Sequence, residues 1–149
     1  MSRNRVKRRD PLSPEQRSAR MAKVRAKNNR STEMHVAACL VRFGLRGWKR
    51  HPQEVFGRPD FCFTVERIAI FVDGCFWHGC RHCQRNVPQT RRHFWERKLE
   101  SNRRRDRRVR RMLQAQGFVV VRIWEHALSQ KTWLKRLTSE LQKARANSH

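Results

Sequence analysis

The densest run of residues able to do chemistry in this chain is one stretch, Gly57 to Cys83. It begins Gly-Arg-Pro-Asp-Phe, runs through an apolar alternation and ends Asp-Gly-Cys-Phe-Trp-His-Gly-Cys-Arg-His-Cys. Two carboxylates, Asp60 and Asp73, bracket the apolar part. If Glu66-Arg67 is a two-residue turn, Val65 pairs with Ile68 and the ladder sets Asp60 opposite Asp73. Like charges so placed repel unless a cation lies between them. A hard divalent ion such as Mg2+ takes carboxylate and water oxygens and bridges readily to phosphate. Pairing of both aspartates with two of the many arginines is the competing reading, and spacing leaves the two even.

His78 follows Asp73 by five residues. It is placed either to take a proton from water near neutral pH or to ligate zinc. Cys80-x-x-Cys83, with Cys75 five residues upstream, resembles one face of a tetrahedral zinc site. Three thiolates need a fourth donor. His78 and His82 stand in the loop, and His126 stands beyond the apolar run that ends Trp124-Glu125. A remote donor would staple two parts of the fold, where a structural metal contributes most. Cys39 and Cys62 fall among apolar residues and read as core thiols. Surface cysteines clustered by chance are the plainer alternative.

These residues need a frame. Residues 1–12 read as a flexible basic lead-in. Ser13-Pro14-Glu15-Gln16 carries helix-start signals, and a helix from about Pro14 to Lys27 holds too few apolar residues to bury much alone. Asn28-Asn29-Arg30 is expected to break it. A second helix, Thr32 to Phe43, has an apolar face and stops at Gly44, with Glu33 in a first turn whose dipole favours a carboxylate. Trp48 to His51 reads as a short strand, and Phe61–Val65 with Ile68–Val72 as the hairpin. Thr90 is expected to cap a helix over about Arg91–Gln116, ended by Gly117. Phe118–Trp124 is a buried strand, and Ser129–Ala146 a last amphipathic helix. Helices around a small apolar sheet make a three-layer α/β domain.

Charge then narrows the partner. The 149 residues hold 36 Lys+Arg against 12 Asp+Glu, a formal +24, and a polyanion would relieve that self-repulsion. Eleven Lys and Arg lie between Arg91 and Arg111, with Asp106 alone among arginines. Its plain reading is a carboxylate that tempers a cationic helix. Five Trp and eight Phe argue for a packed domain rather than a basic tail. Among them Phe76, Trp77 and Trp95 flank the site, where flat rings can wedge between bases or stack on them. No secretory signal and no membrane-length apolar run is visible, and the odd cysteine number suits a reducing compartment.

Several motifs in order resemble the very short patch repair (Vsr-type) DNA mismatch endonucleases. They are Gly57-Arg58-Pro59-Asp60-Phe61, Val72-Asp73-Gly74-Cys75-Phe76-Trp77-His78-Gly79-Cys80, Phe94-Trp95-x-x-Lys98, Asn102-x-x-x-Asp106 and Trp124-Glu125. The resemblance runs from Met21 to about Leu128. It implies a restriction-endonuclease-like fold, a mixed sheet flanked by helices, in one domain over 13–149 whose residues 13–30 form a DNA-gripping arm. It implies Mg2+-dependent nicking of duplex DNA 5′ to the T of a T·G mismatch left by 5-methylcytosine deamination.

Carried over by position, Asp60 is the Mg2+ ligand, Val72 offers its backbone carbonyl, and His78 is the base that activates water. Asp73 falls at a position where the resembled family also has a second site histidine. Asp106 orients a histidine or water, and Glu33 is an acidic residue near the site. Phe76, Trp77 and Trp95 resemble the intercalating aromatics, Met21 approaches from the other groove, and Arg58 belongs to the DNA-contacting surface. Structural Zn2+ would sit on Cys75, Cys80, Cys83 and His126; the Cys80-x-x-Cys83 spacing favours Cys83, while position-by-position correspondence with the family favours His82 in its place. His126 departs from the cysteine often found after Trp-Glu, and the lysine of ordinary restriction-type nucleases is absent after Asp73. A monomer acting in the bacterial cytoplasm, with mismatch-repair proteins as partners, completes the expectation. Without the resemblance, charge and cysteines alone support a zinc-stabilised, non-catalytic nucleic-acid-binding module, and a same-fold nuclease of looser specificity is the third reading.

Overall fold

Ser13 starts the first helix as its sequence prescribes. Its hydroxyl accepts from the Gln16 N–H at 3.2 Å, its own N–H donates to the Gln16 side chain at 3.0 Å, and Pro14 fills the first turn. In the computed structural model, which describes residues 12–83 and 87–147, helix α1 then runs unbroken from Pro14–Arg42. The expected break at Asn28-Asn29-Arg30 does not occur. Asparagine lowers helix propensity by only a few tenths of a kcal/mol, and nothing there acts as Gly or Pro would. Apart from Leu12, the lead-in expected over 1–12 lies outside the described residues.

Strands β1 (Trp48–Arg50), β2 (Phe61–Phe63), β3 (Ile68–Asp73) and β4 (Val119–Trp124) form one sheet in that spatial order. The first two pairings are antiparallel and β3–β4 is parallel, so the chain between them must cross over, which it does through α2 (Arg92–Ala115). Helix α3 (Thr132–Ala146) closes the chain after a 3-10 turn at Glu125–Ala127. Thr90 does not cap α2: Arg91 holds the cap position in a left-handed conformation, with no side-chain bond to the helix end. Gly117, at φ +81°, follows the end of α2 as expected.

The alternation of strand residues sorts them onto two faces. Phe61, Phe63, Ile68, Ile70, Val121 and Ile123 pack under Val36 and Leu40 of α1 and Trp133, Leu134, Leu137 and Leu141 of α3. Cys62, Ala69 and Val120 face Leu113 of α2, with Val55 alongside. Each large side chain buried this way contributes about 1.5–3 kcal/mol. The result is a helix–sheet–helix sandwich. Cys62 is buried and Cys39 packs against the core, as core thiols should. No helix among the described residues is long and apolar enough to cross a membrane.

The hairpin differs from expectation in a way that matters for the site. Phe63 pairs with Ile68, so the connection is the four residues 64–67 rather than Glu66-Arg67, with Arg67 in the left-handed region at φ +53°. The ladder ends at Phe61 opposite Ile70. Asp60 and Asp73 are therefore not cross-strand partners.

Candidate active site

Past the end of the ladder the Asp60 N–H donates to the Ile70 carbonyl at 2.9 Å. The Asp60 carboxylate accepts the Val72 N–H at 2.6 Å and so stands in for a strand partner. Burial pushes its pKa up to about 6, against the Val72 hydrogen bond and with the Glu33 charge adding to the rise. Glu33 comes from the middle of α1, not from a first turn, so no helix end explains it. Its buried carboxylate takes Arg50 Nη2 and His51 Nε2, both at 2.9 Å and both on Oε2. Glu33, His51 and Asp60 each offer a donor atom within 4.8 Å of the others, a grouping able to hold a metal ion.

The other carboxylates have a different partner. Asp73 is buried and held at both oxygens by Arg122, through Nε at 2.5 Å and Nη2 at 2.9 Å. Arg122 also reaches Asp106 at 3.2 Å, and Asp106 in turn meets His78 Nδ1 at 2.7 Å. Burial works against ionisation of Asp106, but the His78 hydrogen bond and the Arg122 charge prevail and bring its pKa below the ordinary value. The guanidinium itself is held more firmly protonated: burial opposes this, and the two aspartates outweigh it. Asp73 thus pairs with an arginine, the reading set against metal binding, while Asp60 stands in the group that can take a cation.

His78 sits on a loop wound tightly after β3. Cys80 N–H donates to the Cys75 carbonyl at 2.9 Å, and buried Asn102 on α2 donates to the Trp77 carbonyl at 2.8 Å. Gly79 turns the loop at φ +62°, where a Cβ would collide with the Arg103 guanidinium. His78, Asp106 and Arg122 line a cavity of about 740 Å³, with Arg81, Arg103, Arg107 and Arg110 around it. With Nδ1 on Asp106, Nε2 is the His78 nitrogen left to take a proton.

Cys75, Cys80, Cys83 and His126 converge so that their donor atoms all lie within 4.8 Å of one another. Cys75 Sγ is 3.2 Å from His126 Nδ1, and the Cys75 N–H donates to Glu125 at 3.2 Å. His82 is outside this group and stacks on the His126 ring at 4.6 Å between centroids. Of the two alternatives, the geometry brings in Cys83. Three sulfurs and a nitrogen suit a soft or borderline metal. Burial pushes the Cys75 thiol up to about 12, so a thiolate there needs a cation beside it.

Phe76, Trp77 and Trp95 form one aromatic cluster, with centroids 5.2–5.9 Å apart, and exposed Phe94 adds to Trp95 at 5.3 Å. A smaller cavity of about 170 Å³ brings Met21 of α1 together with Phe76 and Trp77. Arg58 is exposed on the loop before Asp60, at φ +50°. Sequence reasoning missed His51 and Arg122. His51 carried no motif signal. Arg122 had one: a lone cation inside the apolar run Val-Val-Val-Arg-Ile-Trp needs buried carboxylate partners.

Buried carboxylates, an acid-held histidine and an arginine-lined cavity are features suited to binding and acting on a polyanion such as nucleic acid. The family model described as DNA mismatch endonuclease Vsr matches residues 9–85, and the chain belongs to that family. It is 42% identical over 122 residues to the type II nicking enzyme V.XorIIP of Xanthomonas oryzae pv. oryzae, covering 80% of this chain and 87% of that one. It is 37% identical over 124 residues to the type II nicking enzyme V.NmeDIP of Neisseria meningitidis serogroup C, covering 83% and 82%. It is 38% identical over 127 residues to the DNA mismatch endonuclease Vsr of Escherichia coli K12, covering 83% and 78%. The chain is a DNA endonuclease.

Proposed function

We propose that the protein nicks duplex DNA 5′ to the T of a T·G mismatch arising from 5-methylcytosine deamination, in a Mg2+-dependent reaction. The observation that carries the chemistry is the Asp106–His78 pair at 2.7 Å, which fixes the imidazole tautomer and turns Nε2 toward proton acceptance. Asp60, with Glu33 and the Val72 carbonyl, would hold the divalent cation. A cation there would neutralise charge on the scissile phosphate. His78 takes the proton of the attacking water at Nε2, and Asp106 stabilises the imidazolium that results. Asp73 acts through Arg122, which it orients between itself and Asp106.

Phe76, Trp77 and Trp95 are assigned to insertion beside the mispair, with Met21 bearing on the same place. Unstacking costs a few kcal/mol per step and least at a mismatch, so deformability helps select the site. Residues 13–30, the first half of α1, would lie along the duplex as an arm, and Arg58 and the α2 arginines would contact phosphates. The sandwich is assigned to the restriction-endonuclease-like fold as one domain over 13–149, with Zn2+ on Cys75, Cys80, Cys83 and His126 as its staple. A monomer in the bacterial cytoplasm, meeting other mismatch-repair proteins on DNA, fits this reading. Asp60→Ala tests it: nicking of a T·G duplex should vanish while duplex binding persists, and unchanged nicking by the purified variant rejects it.

A further inference from the structure

The end of β1 is bent so that His51 turns toward Asp60. His51 precedes Pro52, a position that favours extended backbone, yet it lies at φ +46°. Its N–H donates to the Asp60 carbonyl at 3.1 Å, which ties His51 to the residue assigned to the cation. The ring stands half exposed at the site mouth instead of filling the core, with Nε2 2.9 Å from Glu33 Oε2. Neighbouring donors on a cation with bonds of about 2.1 Å stand about 3 Å apart, so this spacing also suits two ligands of one ion. Asp60 brings its own donor within 4.8 Å of both. Arg50 holds the same Glu33 oxygen at 2.9 Å and orients that carboxylate.

We infer that His51 is a nitrogen donor to the cation held by Asp60 and Glu33. The inference rests on the reading of Asp60 as cation ligand and goes beyond it by adding a third donor of a different kind. In the metal-free protein Nε2 carries the hydrogen that Glu33 accepts. With a cation present the hydrogen moves to Nδ1 and the Nε2 lone pair turns to the ion. A nitrogen donor beside the carboxylates lets the seat take Mn2+ and later first-row cations as well as Mg2+.

The probe is Mn2+ added to full-length protein already saturated with Zn2+, read by pulsed EPR for nitrogen coupling and by calorimetry for affinity. Wild-type protein should show coupling from a directly bound imidazole. His51→Gln, which keeps a hydrogen-bond donor for Glu33, and His51→Ala should both lose it, with Mn2+ affinity falling about tenfold or more. Absence of the coupling in wild type, or its persistence in His51→Gln, overturns the inference. Asp60→Ala separates the two claims. If that variant binds Mn2+ undiminished, the cation seat itself is misassigned. If it loses Mn2+ while His51→Gln keeps both affinity and coupling, only the role of His51 falls.

Discussion

Asp60 is a carboxylate held where water cannot fully solvate it, and its pKa of about 6, raised by burial from 3.8, has a consequence for folding. A carboxyl raised in the folded state favours folding below its unfolded pKa, and that contribution is lost as pH rises through the folded value. For Asp60 the window is about pH 4 to 6, and the loss amounts to about 3 kcal/mol. Asp60→Asn should therefore melt higher than wild type at pH 7 in zinc-loaded protein without added Mg2+, with the gap closing below pH 4, while nicking is abolished. Thermal melts across that range check it. Asp106 runs the other way: its lowered pKa supports the fold above the ordinary carboxylate range and is lost as pH falls below it. Asp106→Asn should leave His78 without its anionic partner and cut the nicking rate by about 10²–10⁴-fold, measured in single-turnover assays with binding unchanged. Neither side chain announced its environment in the sequence. By residue type alone Asp106 was a lone acid among arginines, because Arg122, which holds it, lies sixteen positions away on another element; only the family resemblance implied a histidine or water beside it.

Elements explain why the site was half legible. The strands and their order of apolar residues follow from β-branched and aromatic runs, and the sheet faces follow from alternation. The hairpin register does not, because a four-residue connection closed by Arg67 in the left-handed region has no sequence signal comparable to Asn-Gly. The continuous α1 was hidden for a similar reason: two asparagines look like a break locally, while packing of Val36 and Leu40 anchors the second half of the helix. That continuity places Met21 beside Phe76 and Trp77, and Glu33, twelve residues on, beside His51 and Asp60, from one rod. Trp77→Ala should lower T·G nicking by about 10- to 100-fold, the worth of one lost stacking partner, while binding to fully paired duplex changes little. Along α2, replacing Arg103, Arg107 and Arg110 with Ala should reduce the slope of log affinity against log salt by about 2 to 3, whatever the sequence bound.

For the whole molecule, a net +24 on 149 residues opposes compaction, and two devices answer it. One is the sandwich core. The other is the Cys75–Cys80–Cys83–His126 group, which brings the loop after β3 against the chain beyond β4, more than forty residues later, with donor atoms placed so that one metal ion could tie them. Its existence was legible from cysteine spacing, and the Cys80-x-x-Cys83 spacing pointed to Cys83, but the sequence also offered His82, and only the folded loop decides which side chain turns inward. His126→Ala, or zinc removal by a chelator, should lower the melting temperature and release one equivalent of Zn2+. Melts with metal analysis check this, and metal-free protein as stable as wild type would remove the staple.

The central claim is tested most directly by mapping nicks, with Mg2+, in matched duplexes that differ only in one base pair: T·G, the other mismatches and the fully paired sequence. A single nick 5′ to the mispaired T, in the T·G duplex far faster than in any other, is the expected result. Equal cutting of the paired duplex, or a nick placed elsewhere, would contradict it.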